Sequence, residues 1–70
     1  MEGYKFITVG RRRATWIAET EEPSYEWLCK EVWKHGVKSK DIVFLYDSAS
    51  NIGFIEAGFR VIGRYEKVRK

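Results

Sequence analysis

The sequence predicts an α/β fold of the α+β type. It reads as a two-layer sandwich in ββαββ order, with one amphipathic helix (about 23–35) on a mostly antiparallel sheet of about four strands. Three observations carry this reading. A single stretch has apolar residues at helical spacing, the flanking segments are rich in β-branched and aromatic types, and the links between strands are short enough for hairpins. One helix covers only one face of a sheet, so two layers result.

Residues 4–9, Tyr-Lys-Phe-Ile-Thr-Val, suit a pleated strand. Gly10 and Arg11-Arg12-Arg13 follow, then a second strand-like segment over 14–18, so the arginines fall at or near a hairpin tip. Glu19-Thr20-Glu21-Glu22-Pro23-Ser24 is a helix-start signature, with Pro23 suited to the first helical position and the glutamates to the positive end of the helix dipole. Tyr25, Leu28, Cys29 and Val32 then recur at i, i+3, i+4 and i+7, while Lys34, His35 and Gly36 form a C-terminal signature.

Residues 42–46 are a compact apolar run, and Asp47-Ser48-Ala49-Ser50-Asn51 has the composition of a turn. From Ile52 the chain reads as one long strand. Ile55, Ala57, Phe59, Val61 and Tyr65 share one parity, and Gly58 is placed to bulge or bend it.

The 70 residues are expected to form a single small α/β domain, 1–70. So short a chain buries only about 60% of the surface its unfolded form exposes. Three Trp, four Tyr and four Phe compensate for the small size. The lone Cys29 excludes an intramolecular disulfide, no apolar run approaches a membrane span, and the N-terminus lacks a signal-like stretch. A cytoplasmic setting with no membrane partner is the expectation, the host cytoplasm if the origin is viral. Size alone suggests the minimal regulatory modules that viral and mobile-element genomes encode.

The residue types argue against an enzyme. The one Cys and the one His lie six residues apart, out of register on a helix, and no metal-ligand spacing, Walker loop or dinucleotide fingerprint occurs. No cofactor, metal or small-molecule substrate is expected. Gly36-Val37, the strand over 42–45, Asn51 and Ala57-Gly58-Phe59-Arg60-Val61 are together similar to the closing part of GNAT-type acetyltransferases, over the last half of the chain. The interval from Asn51 to Gly58 is too short for the helix that family places there, and its glycine-containing acetyl-CoA pyrophosphate loop is absent. No site residue is therefore carried over.

Binding is the remaining class. Trp27 lies about 200° around the helix from Tyr25, so it is expected to face outward beside Lys30 and Lys34, whereas Trp33 is expected in the core. Both parities of the strands carry apolar residues, with Tyr4, Phe6 and Trp16 opposed to Ile7, Val9 and Ile17. One sheet face is thus left for a protein partner or a second copy in a homodimer. The candidate protein-interaction residues are Trp27, Lys30, Lys34, Tyr4, Phe6 and Trp16.

The alternative is a nucleic-acid-binding module. The net charge of +3 arises wholly after residue 36, where seven Lys/Arg face four Asp/Glu, against six of each before it. Its candidate residues are Arg11, Arg12, Arg13, Arg60, Arg64, Lys67 and Arg69, although Glu56 and Glu66 interrupt the basic parity and no RNP motif is present.

Overall fold

The computed structural model describes residues 2–68. The order is β1 (Glu2–Val9), β2 (Ala14–Thr20), α1 (Tyr25–Lys34), β3 (Ile42–Asp47), β4 (Ile52–Ala57) and β5 (Arg60–Val68). The strands form one five-stranded antiparallel sheet in the spatial order β2-β1-β5-β4-β3, with the helix on one face. The expected class holds, but the strand count of four and the ββαββ order are corrected to five and ββαβββ.

The extra strand arises because residues 52–68 turn back on themselves. Ala57 pairs with Arg60, so Gly58-Phe59 is a two-residue hairpin loop, and both residues have positive φ (57° and 65°) as a type I′ turn requires. Gly meets that requirement freely; a bulky residue such as Phe does so under strain.

A second irregularity lies in β1. Phe6 pairs with Trp16 and Val9 with Ala14, so β1 holds one extra residue. Thr8 absorbs it at φ 47°, its N–H donating to Thr15 Oγ1 at 3.1 Å and its hydroxyl to the Ile7 carbonyl at 2.8 Å. The bulge flips the parity, so Val9 leaves the face of Ile7 and joins Tyr4 and Phe6 in the core.

The helix begins at its N-cap Ser24, whose hydroxyl accepts from the Trp27 N–H at 3.1 Å. Pro23 precedes that cap, so the helix starts two residues later than expected. It ends at His35, and Gly36 follows at φ 98°. The helix crosses the sheet from edge to edge. At its start Tyr25 packs edge-on against Phe44 of β3 and donates to the Ile42 carbonyl; at its end the His35 ring stacks on Trp16 of β2. Between them lies the core of Tyr4, Phe6, Val9, Cys29, Val32, Val37, Ile42, Ile55 and Tyr65.

Candidate binding surfaces

The inner face of the sheet takes up most of the expected interaction residues. Tyr4 and Phe6 are buried under the helix, and Trp16 stacks between Phe6 (4.6 Å) and His35 (3.5 Å), its indole N–H having no hydrogen-bond partner among the described residues. Trp27 does not face outward: half-buried, it tilts against Tyr4 at 5.6 Å and Phe6 at 6.3 Å. The inward arc is centred on Leu28 and Val32 and is wide enough to include Trp27 on one flank and Cys29 on the other. Trp33 is the outward tryptophan instead, 45% exposed, its indole N–H donating to the Ser39 carbonyl at 2.9 Å. Lys30 is exposed; Lys34 is exposed and pairs at 2.8 Å with the buried Glu31. Tyr4, Phe6 and Trp16 are thus core or core-margin groups because the helix covers the parity they occupy, and Trp27 is one because it lies on the helix's inward arc.

The uncovered face is the other parity. Cross-strand pairing sets Leu45 beside Phe54, Phe54 beside Arg64 and Arg64 beside Ile7; Glu56 lies beside both Val43 and Val61, and Lys5 beside both Ile17 and Glu66. Ile17, Val43, Leu45, Phe54 and Val61 are 42 to 61% exposed there. The expectation of an uncovered apolar face therefore stands, with different residues on it.

Basic residues separate into three places. Arg11, Arg12 and Arg13 line an open groove of about 1050 Å³ together with Arg60, Lys38 and His35. The groove lies at one end of the sheet, between the β1–β2 hairpin, the segment after the helix and the start of β5. Arg12 reaches over the end of the helix, its side chain within 4 Å of where a Cβ on Gly36 would be. Arg64 instead faces outward among the apolar side chains, and Lys67 sits at the far end of β5 with its ammonium 4.9 Å above the Tyr46 ring. Arg69 lies outside the described residues. The candidate basic residues of the C-terminal strand are thus divided: Arg60 joins the arginine hairpin, and Arg64 and Lys67 do not.

The polar groups between β3 and β4 serve structure. Asp47 accepts from the Ala49 N–H and the Ser50 hydroxyl, and Asn51 donates to the Lys67 carbonyl while accepting from the Tyr46 hydroxyl, so this segment is the expected turn. Burial raises the Tyr4 hydroxyl above the usual tyrosine range, helped by the Glu2 carboxylate; burial, then Tyr46, raises Tyr65. No group of three His, Cys, Asp or Glu residues able to hold a metal occurs among the described residues, and none of their helices is long and apolar enough to cross a membrane. No family model matches the chain, and neither the curated proteins nor the solved structures include a significant match to it.

Proposed function

We propose that this chain is a small non-enzymatic binding protein of regulatory or adaptor type, acting through protein–protein contacts made by the outer face of its sheet. One observation carries the reading: five large apolar side chains from four of the five strands stand 42 to 61% exposed on a face that no element among the described residues covers. Val43, Leu45 and Phe54 adjoin one another there, while Glu56, Arg64 and Lys5 stand between them and Val61 and Ile17, and exposed apolar residues ringed by polar ones are the pattern of an interface. The sole Cys is packed in the core and the sole His on Trp16, which supports binding rather than catalysis. A second copy is the simplest partner, since two such faces can pack as aligned sheets about 10 Å apart.

Sedimentation across a concentration series tests this, with Leu45→Thr/Phe54→Thr as the comparison. Thr retains strand propensity while removing apolar surface. A concentration-dependent dimer that the double substitution abolishes is expected. A wild-type chain that stays monomeric overturns the homodimer. If a photo-crosslinker at Val43→Cys also captures no protein in cell extract, the protein-contact reading falls with it.

A further inference from the structure

We propose that the groove between the β1–β2 hairpin and the start of β5 binds the phosphate backbone of single-stranded nucleic acid, with Phe59 as a stacking platform for a base. This site is separate from the outer sheet face and does not depend on its role. Cations some fifty residues apart in sequence meet here: Arg11, Arg12 and Arg13 of the hairpin line the groove together with Arg60 of β5 and with Lys38. The lining residues include no carboxylate, and none of these five cations makes an ion pair among the described residues. Five like charges left unneutralised around one concavity repel each other, and an anion with several charges relieves that repulsion. Guanidinium forks match phosphate oxygens in pairs. Arg12 has a second task, because it lies over the helix end where the dipole favours a cation, so Arg11, Arg13 and Arg60 are the principal phosphate ligands.

Phe59, the chain neighbour of the lining residue Arg60, points to a nucleic acid rather than a simple anion. It is fully exposed at 103%, and its backbone is held in the left-handed region at φ 65°. A bulky side chain gains nothing for the fold in that position and strains the turn, and such outliers gather where a residue serves a ligand. Trp33, 45% exposed, donates its indole N–H to the carbonyl of Ser39, which lines the groove. Basic grooves that track a backbone, with aromatic rings on which bases stack, are the pattern of single-strand binders. A duplex keeps its bases paired and stacked, so it can use the cations but not Phe59.

Amide-shift and anisotropy titrations at low salt with a decauridine oligonucleotide, a DNA duplex, inorganic phosphate and anionic phospholipid vesicles test the proposal. Expected is tighter binding to the single strand than to the duplex, with shifts at residues 10–13, 36–39 and 59–62. The slope of log affinity on log salt is expected at about −2 to −3.5, as three to five phosphate contacts imply. Arg11→Gln/Arg13→Gln/Arg60→Gln should weaken binding tenfold or more, and Phe59→Asn should weaken the single strand about tenfold while leaving the duplex unchanged. Asn suits the turn, so a loss there is not a loss of fold. The outer-face variant Leu45→Thr/Phe54→Thr should bind as wild type does, which separates this site from the protein-contact surface. Equal affinity for duplex and single strand, capture by vesicles alone, a phosphate titration that reproduces every shift, or indifference to the triple substitution overturns the proposal.

Discussion

A Cβ on Gly53 would stand 2.3 to 2.7 Å from three atoms of the Tyr65 ring, which is itself held by Phe6, Phe44 and Tyr46. The ring therefore cannot swing away, and Gly53→Ala is expected to lower stability by about 1–3 kcal/mol, as overpacking does. Urea denaturation reads this, and a midpoint equal to wild type would show that the ring yields after all. Phe59 predicts the opposite sign. Its left-handed backbone is strained for a bulky residue, so Phe59→Asn is expected to raise stability by about 0.5–1 kcal/mol. The same substitution is expected to weaken nucleic-acid binding, so stability and binding move in opposite directions. A variant no more stable than wild type would mean that the turn carries no relievable strain.

At the scale of elements, the helix was legible in outline because its signals are local. The start signature over 19–24, the apolar spacing and Gly36 as the stop all lie within a turn or two of what they control, although Pro23, expected as the first helical residue, stands before the cap Ser24. Ser24→Ala leaves the Trp27 N–H without its acceptor and is expected to cost about 1 kcal/mol, measured by the thermal midpoint. No change would indicate that another group accepts that N–H. The helix orientation was less legible. Tyr25 fits the apolar stripe by spacing, yet it sits over the β3 edge and is 54% exposed, and the stripe's true centre lies nearer Leu28. Trp27 and Trp33 exchange roles for that reason. The β4–β5 hairpin went unread because Gly-Phe is not among the dipeptides that announce a type I′ turn. Val9 lies on the opposite face from the one strict alternation predicts, because a single inserted residue at Thr8 reverses parity and alternation contains no warning of a bulge.

At the scale of the whole molecule, linear position hides the charge asymmetry. The sequence assigns the positive excess to its second half, whereas the fold gathers cations from both halves at one end of the sheet. Glu2, Glu19, Glu21 and Glu22 lie at the other end, where β1 starts and β2 finishes. Of the candidate basic residues, Arg11, Arg12, Arg13 and Arg60 meet only because β5 pairs with β1, a long-range contact that no local pattern encodes. That same pairing brings Tyr4 and Tyr65 together, their rings 6.2 Å apart under the helix, and this gives the molecule an alkaline limit. Both hydroxyls are raised above the ordinary value of 10.0, chiefly by burial, so the folded state holds these protons more tightly than the unfolded chain does. Their contribution to stability is therefore complete below pH 10 and declines as the pH rises above it, because the unfolded tyrosines ionise first. Urea midpoints taken at neutral pH and in steps above pH 10 should fall together with the appearance of tyrosinate absorbance. Tyr65→Phe keeps the ring that fills the space over Gly53 and removes one of the two ionisable hydroxyls, so its alkaline decline should be shallower than that of wild type. A parallel decline in the two proteins would remove Tyr65 from the account and leave Tyr4, whose hydroxyl lies 3.4 Å from Glu2, and Tyr25, raised chiefly by its hydrogen bond with the Cys29 side chain, as the groups that limit the fold.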